Sequence, residues 1–262
     1  MTKTAGANVK DYVEVSGLSK VYPNGTRALS DVSFALGHGE FAVIVGRSGA
    51  GKSTLLRCMN SLTEPTAGEV KIEGRCVTGL AGKELRAARK DMGFIFQQFN
   101  LVRRISALDN VLCGMLANMP NARSILRRFT REEKLSALDC LEKVGLGDKA
   151  HQRADTLSGG QQQRVAIARV LAQRPKVVLA DEPVASLDPE SARTVMDALR
   201  YLATEEGIAV FCNLHQVNLA GRYADRTLGM REGRLVLDRK SGRMEHGEVR
   251  ELYGGEMEEA FA

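Results

Sequence analysis

FAVIVGRSGAGKST, residues 41–54, is the stretch that decides the fold. An apolar run of strand length, Phe41 to Val45, leads into GRSGAGKS, which fits the glycine-rich pattern G-x-x-x-x-G-K-[ST]. The next residues, Lys52 to Asn60, favour a helix. A strand, a glycine loop and a helix in this order predict a phosphate-binding loop, or P-loop, which holds a nucleoside triphosphate.

The predicted loop offers the groups that phosphates need. Gly46, Gly49 and Gly51 allow the backbone N–H groups to approach phosphate oxygens, and the start of the following helix adds a positive dipole end. Lys52 is expected to reach the β and γ phosphates, whereas the Ser53 hydroxyl suits Mg²⁺. The nucleotide contacts expected from this loop are Gly46, Arg47, Ser48, Gly49, Ala50, Gly51, Lys52, Ser53 and Thr54.

Two carboxylates follow a second apolar run, Val177 to Ala180. A strand that is apolar on both faces indicates the middle of a parallel sheet, and ligands bind at the carboxyl ends of such strands. We therefore expect Asp181 to hold Mg²⁺, through water, and Glu182 to polarise the attacking water as a general base. The alternative is a solvated carboxylate pair at a strand end.

The pattern along the chain predicts an α/β fold on a mostly parallel sheet, with one large domain at residues 12–240. Helical periodicity dominates from about 98 to 157, which indicates a helical insertion, and residues 241–262 form a polar tail. The other predicted strands are Tyr12 to Val15, Val32 to Leu36, Glu69 to Ile72, Met92 to Phe96, Ile208 to Asn213, and a closing hairpin at 227–237. The predicted helices are Ser106 to Leu116, Arg131 to Val144, Ser158 to Ala172, Pro189 to Glu206 and Val217 to Ala224.

TLSGGQQQRV, residues 156–165, predicts a second anion site. The Ser158 hydroxyl and the N–H groups of Gly159 and Gly160 come at the start of a predicted helix, where negative charge is stabilised. The alternative is that Ser158 only caps the helix and the glycines form a turn. That alternative does not explain the whole string, which continues as AIARVL.

The P-loop, the LSGGQ string and the carboxylate pair, in this order, resemble the ABC ATPase family over about Tyr12 to Asp238. The resemblance implies a P-loop core with an N-terminal antiparallel β subdomain and a helical insertion, and ATP with Mg²⁺ as cofactors. In that family the LSGGQ string of one subunit closes over ATP held by the P-loop of another. A second copy of the chain is therefore an expected partner, in a head-to-tail dimer, with ATP contacted by Ser158, Gly159, Gly160 and Gln161.

The resemblance also assigns roles to four isolated residues. Gln97, after GFIF at 93–96, matches the glutamine that senses Mg²⁺ and water, with the neighbouring Gln98 as the other choice. Asp188 matches the loop that crosses the dimer interface, and His215 matches the histidine that contacts the γ-phosphate. Tyr22 matches the aromatic residue that stacks on adenine, although a tyrosine beside a Pro-Asn-Gly turn is also common at a surface.

Three local strings resemble one branch of the family. FQQFNLV (96–102), ADEPVASLDPE (180–190) and NLHQV (213–217) are similar to phosphonate importer ATP-binding subunits. This implies an ATP-hydrolysing subunit that energises uptake of phosphonate, phosphite or hypophosphite through a separate membrane permease. A periplasmic solute-binding protein would be an indirect partner, and the chain would lie peripherally on the cytoplasmic face of the bacterial inner membrane.

Composition bears on the other classes of function. The net charge is +5, but aromatic residues make up only 5% and Trp is absent, so the chain lacks the stacking residues of a single-strand binder, and no nucleic-acid partner is expected. No apolar run approaches the roughly 18 residues that a membrane span needs. Three alternatives stay open: an importer ATPase for another small solute, a soluble regulatory ATPase, and a nucleic-acid-linked ABC ATPase.

Overall fold

Two β-sheets and the helices around them form the framework of the chain. A computed structural model describes residues 12–240 and 244–253. The strands in this part of the chain are β1 (Val13–Val21), β2 (Arg27–Leu36), β3 (Phe41–Val45), β4 (Ala67–Ile72), β5 (Arg75–Cys76), β6 (Met92–Ile95), β7 (Val177–Asp181), β8 (Ala209–Asn213), β9 (Arg226–Arg231) and β10 (Arg234–Lys240). The α-helices are α1 (Lys52–Met59), α2 (Gly82–Lys90), α3 (Ala107–Met115), α4 (Asn121–Ile125), α5 (Arg131–Lys143), α6 (Gly159–Gln173), α7 (Pro189–Thr204), α8 (Val217–Tyr223) and α9 (His246–Tyr253).

The larger sheet has the strand order β10-β9-β3-β8-β7-β6. Its pairings are parallel from β9 through to β6, and β9 and β10 form an antiparallel hairpin. Every residue of β3, β7 and β8 is buried. These central strands are therefore covered on both faces, which explains their unbroken apolar runs.

Alternate residues of β3 point into two separate hydrophobic cores. Phe41, Val43 and Val45 belong to the core that contains residues of α3, α5, α6, α7 and α8. Ala42 and Ile44 belong to the other core, which lies between this sheet and the smaller one. The smaller sheet is antiparallel and has the order β2-β1-β4-β5. The predicted α/β class, mostly parallel core and N-terminal antiparallel sheet are confirmed.

The helical insertion packs closely onto the core through α3 and α6. A Cβ atom at Gly114 of α3 would lie 2.1 Å from the Arg169 carbonyl oxygen of α6, so only glycine allows this approach. The insertion helix α5 begins with a capping box, in which the Thr130 hydroxyl accepts from the Glu133 N–H and the Glu133 carboxylate accepts from the Thr130 N–H.

Several elements differ from the sequence prediction. The first strand runs on to Val21 and the second begins at Arg27, because register shifts interrupt the alternation that the prediction relied on. Helix α2 was not predicted, since Ala88 is its only buried residue and the apolar face is too narrow to give a pattern.

The predicted tail, residues 241–262, lies outside the described residues except for 244–253. That part contains helix α9, with Val249, Leu252 and Tyr253 buried. The predicted domain boundaries, 12–240 with a helical subdomain at about 98–157, stay predictions. Among the helices within 12–240 and 244–253, none is long and apolar enough to cross a membrane.

Candidate active site

The glycine loop between β3 and α1 is held by close backbone contacts. Gly46 has φ 149° and Gly51 has φ 102°, both in the region that favours glycine. A Cβ atom at Gly46 would lie 2.1 Å from the Met230 carbonyl oxygen of β9, and one at Gly51 would lie 2.4 Å from the Ala28 carbonyl oxygen. The neighbouring strands therefore determine the loop's path.

The side chain of Lys52 lies inside this loop. Its Nζ donates hydrogen bonds to the carbonyl oxygens of Gly46, at 2.6 Å, and Arg47, at 3.0 Å. Lys52 is only 4% exposed. Burial lowers the pKa of Lys52, and the carboxylates of Glu182 and Asp181 oppose that shift. The loop thus encloses one cation with carboxylates nearby.

Three polar side chains from different elements meet at the carboxyl ends of β7 and β8. The Ser53 hydroxyl donates to Asp181 Oδ1 at 2.8 Å, and Asn213 Nδ2 donates to the same oxygen at 2.9 Å. Asp181 and Asn213 are partners across the parallel β7 and β8 pair. Asn213 was missed in the sequence prediction, although it ends a buried strand just before His215. The contact holds Asp181 beside the P-loop helix.

Glu182 and His215 form a second pair beside these side chains. Glu182 directly follows Asp181, and His215 lies two residues beyond Asn213. The His215 Nε2 and the Glu182 Oε1 are 2.6 Å apart. Glu182 has φ 51°, a left-handed conformation that costs a non-glycine residue energy and is often found at functional sites. The hydrogen bond with His215 lowers the pKa of Glu182 and outweighs the opposing effect of burial, with a further contribution from Lys52. Glu182 is therefore an ionised carboxylate at neutral pH.

Replacing His215 by alanine is expected to raise the pKa of Glu182, because the hydrogen bond that stabilises the carboxylate is lost. A carboxyl group whose folded pKa is depressed adds stability above its unfolded pKa, and that stability is lost as the pH falls through the folded value. The window lies below the ordinary value of 4.5, and His215→Ala should lose less stability across it than the parent. Carboxyl-detected NMR titration of Glu182 measures the shift, with the exposed His151→Ala as control. An unchanged Glu182 pKa in His215→Ala would contradict the assignment.

Lys52, Glu182 and His215 all line one cleft, which has a volume of about 270 Å³. Residues of the P-loop and of α1 line it together with Glu182 and His215. Next to it, the Tyr22 hydroxyl lies 3.4 Å from the Thr54 hydroxyl, so Tyr22 stands beside the start of α1. The complete lining is Thr26, Arg27, Ala28, Ser48, Gly49, Gly51, Lys52, Ser53, Thr54, Glu182 and His215. Thr26, Arg27 and Ala28 were not predicted.

The LSGGQ residues do not line this cleft. Ser158 caps α6: its hydroxyl accepts from the Gln161 N–H at 3.3 Å, and the Gln161 side chain accepts from the Ser158 N–H at 3.0 Å. Gly160 is buried against α7, where an added Cβ atom would lie 2.7 Å from the Ser191 Cβ. Gly159 lies near Leu187 and Phe99. The string therefore has a structural role within one chain, and within that chain it lies outside the lining of the cleft that Lys52 lines.

Two further predicted site residues also lie apart from the cleft lining. Asp188 caps α7 by accepting from the N–H groups of Glu190, at 3.1 Å, and Ser191, at 2.9 Å. The hydrogen bonds with Ser191 lower the pKa of Asp188. Gln97 is exposed, two residues beyond the end of β6, and no hydrogen bond within the described part of the chain joins its side chain to the cleft.

A P-loop after β3, a carboxylate pair at the carboxyl end of β7 and a histidine after β8 define the site of a P-loop nucleoside triphosphatase. The family model for the ABC transporter matches residues 29–185. This chain belongs to the ABC transporter family, as the sequence predicted.

Curated relatives and solved structures agree with this assignment. The phosphonates import ATP-binding protein PhnC of Lactobacillus gasseri is 49% identical over 243 residues, 93% of each chain. A second such protein, PhnC 2 of Rhodopseudomonas palustris, is 52% identical over 238 residues, 90% of this chain and 88% of the relative.

Among solved structures, the dimeric ATP-binding cassette MJ0796 bound to ADP and Pi has a TM-score of 0.77 and 37% identity, covering 87% of this chain and 98% of that one. The ADP conformation of the cassette MJ1267 has a TM-score of 0.82 and 25% identity, covering 94% and 99%. The predicted fold class is confirmed.

Proposed function

We propose that this chain is the ATP-hydrolysing subunit of a bacterial ABC importer that takes up phosphonate or a related phosphorus oxyanion, such as phosphite or hypophosphite. The main support for ATP hydrolysis is that Lys52, Glu182 and His215 line the same cleft, beside the P-loop. The solute part is supported by relatives 49% and 52% identical, which are named as phosphonates import ATP-binding proteins.

ATP binds along the P-loop in this proposal. Backbone N–H groups of residues 47–54 surround the phosphates together with the positive end of α1, and Lys52 moves its ammonium from loop carbonyls to phosphate oxygens. Tyr22 stacks on the adenine ring, which is supported by its position beside Thr54. The low exposure of Lys52 strengthens its attraction for the phosphates because water screens the charge poorly there.

Mg²⁺ fits the oxygen donors beside the loop. The Ser53 hydroxyl and the Asp181 carboxylate lie 2.8 Å apart, and such hard oxygens are the ligands that Mg²⁺ prefers. No group of three or more His, Cys, Asp or Glu within the described residues is placed to hold a metal, which suits an ion completed by waters and phosphate oxygens. When bound, Mg²⁺ neutralises charge that develops on the phosphates. Gln97 is assigned as a further donor, since it follows β6, the neighbour of β7.

Glu182 acts as the general base for hydrolysis. Its low pKa keeps the carboxylate ionised at neutral pH, so it is ready to accept hydrogen bonds from the attacking water. His215 holds the carboxylate in place through the 2.6 Å contact and stands on the same cleft, where it reaches the γ-phosphate.

The active unit is a dimer in which each ATP lies between two chains. Ser158, Gly159, Gly160 and Gln161 supply the second anion site at the start of α6, and Asp188 lies at the interface. The proposal is supported by their position: within one chain this string is absent from the cleft lining, so a second copy is needed to bring it to ATP.

The membrane permease is proposed to dock on the segment after Gln97. Asn110 holds this segment: its side chain accepts from the Val102 N–H at 2.9 Å and donates to the Val102 carbonyl at 3.1 Å. This arrangement leaves Val102, Arg103 and Arg104 exposed. Docked on the permease, the chain is peripheral on the cytoplasmic face of the inner membrane, and a periplasmic solute-binding protein delivers the solute.

Reconstitution with the permease tests the proposal. We expect ATPase activity in vesicles to rise several-fold when the solute-binding protein is loaded with a phosphonate, and to stay basal with the unloaded protein. Stimulation by another solute alone would favour a different importer. ATPase activity that never responds to the permease would favour a regulatory ATPase, and stimulation by DNA would favour a nucleic-acid-linked one.

A further inference from the structure

The C-terminal helix α9 reaches the back of the active site through one hydroxyl group. The Tyr253 hydroxyl accepts a hydrogen bond from the Gly46 N–H at 3.1 Å and donates one to the His215 carbonyl oxygen at 3.2 Å. Tyr253 is 2% exposed. A single buried atom therefore joins the first residue of the P-loop to the residue that carries the catalytic-site imidazole.

Helix α9 is held against the sheet by contacts of its own. Leu252 packs on β9 so closely that a Cβ atom at Gly229 would lie 2.7 Å from its Cδ2. Arg231 donates to the Glu251 carbonyl oxygen at 2.9 Å, and Arg239 donates to the Glu248 carboxylate at 2.6 Å. The position of Tyr253 thus depends on how α9 docks on β9 and β10.

The two loops that Tyr253 contacts also position the side chains that we assign to ATP binding and hydrolysis. Gly46 is bound at its N–H by Tyr253 and at its carbonyl oxygen by Lys52. His215 is bound at its carbonyl oxygen by Tyr253, and its ring contacts Glu182. The hydroxyl touches peptide groups and lies outside the cleft lining, so it acts on geometry and does not itself contact nucleotide.

Burial raises the pKa of Tyr253 to about 12. The group therefore keeps its proton at neutral pH, and it can donate one hydrogen bond while accepting another.

We infer that Tyr253 is a positioning residue that sets the spacing between the P-loop and the His215 loop, so that docking of α9 controls the rate of hydrolysis more than the affinity for ATP. The inference rests on the proposed ATPase function and adds a means of regulation to the same site. A partner that displaced α9 from β9 and β10 would slow hydrolysis without entering the nucleotide cleft.

The test replaces the hydroxyl alone. In Tyr253→Phe the ring still fills its pocket, but both loops lose their shared partner. We expect kcat for ATP to fall about tenfold while KM for ATP stays within about twofold, since two hydrogen bonds between the loops are lost and no contact with ATP is removed. Steady-state ATPase assays on the full chain give both constants.

Tyr223→Phe is the matched control. Tyr223 is also buried, and its hydroxyl donates to groups of α7, among them the Asp197 carboxylate at 2.7 Å, and not to the P-loop. This variant should keep the parental kcat although it loses a comparable hydrogen bond. Leu252→Ala, which loosens the docking of α9, should reproduce the selective loss of kcat.

The outcomes separate the two proposals. A parental kcat in Tyr253→Phe, an equal loss in Tyr223→Phe, or a loss that falls mainly on KM would overturn the positioning role while the ATPase proposal stands. A parent chain that does not hydrolyse ATP would overturn the proposed function, and the positioning role would fall with it.

Discussion

Replacing Glu182 with glutamine is expected to lower ATP turnover by about 10²- to 10⁴-fold while ATP still binds. Glutamine has the size of glutamate and can still meet His215, but it has no carboxylate to accept a proton from water. The change also removes a negative charge near Lys52 and the phosphates, so ATP affinity should not fall. Because ATP would bind without being hydrolysed, a dimer with ATP in both sites should accumulate.

Three measurements check this result: steady-state ATPase rates, ATP binding by calorimetry, and the elution volume on gel filtration with ATP present. Glu190→Gln is the matched control, because Glu190 is exposed in the first turn of α7 and lies off the cleft lining. It should hydrolyse ATP at the parental rate. Parental turnover in Glu182→Gln would rule out Glu182 as the base.

Replacing Ser158 with aspartate is expected to abolish the ATP-dependent dimer and to lower turnover by about 10²- to 10³-fold, the usual cost of losing a transition-state contact. Aspartate caps helices as well as serine does, so α6 should keep its stability. Its carboxylate, however, would face the γ-phosphate bound by the other chain and repel it. ATP binding to the isolated chain should be unchanged, because Ser158 does not line its own P-loop cleft.

Thr130→Asp provides the control for the new charge. Thr130 caps α5 in the same manner as Ser158 caps α6, with a capping box in each. It should leave dimerisation and turnover at parental values. Gel filtration is best done in the Glu182→Gln background, where the dimer is expected to be long-lived. An ATP-dependent dimer that forms normally with Ser158→Asp would show that LSGGQ has only its structural role.

The sequence predicted those elements whose bounds are set by residues within or next to the element itself. The bounds of β3 agree with the prediction, because an all-apolar run has no polar residue to allow another placement. The starts of α5, α6 and α7 agree to within one residue, because Thr130, Ser158 and Asp188 each cap the helix that follows. Helix α2 was missed because it buries almost nothing, so that neither a cap nor a periodic apolar face marks it.

The candidate site also has parts that the sequence predicts and parts that it does not. Short strings predict the P-loop, the carboxylates Asp181 and Glu182, and the family, because the residues involved are neighbours in the chain. Asn213 shows what such strings do not reveal. Its hydrogen bond to Asp181 spans 32 positions and exists because β7 and β8 are adjacent and in register.

Sequence alone determined the class of chemistry for this protein, since a P-loop needs its glycines, lysine and serine at fixed spacings within one short segment, here residues 46–53. Tertiary structure alone decided which distant groups hold that chemistry in place. Tyr253 lies 207 positions from Gly46 and meets it because β9 runs beside β3 and carries α9 against the P-loop. A contact of that kind depends on strand order and close packing, which no local run of residues specifies.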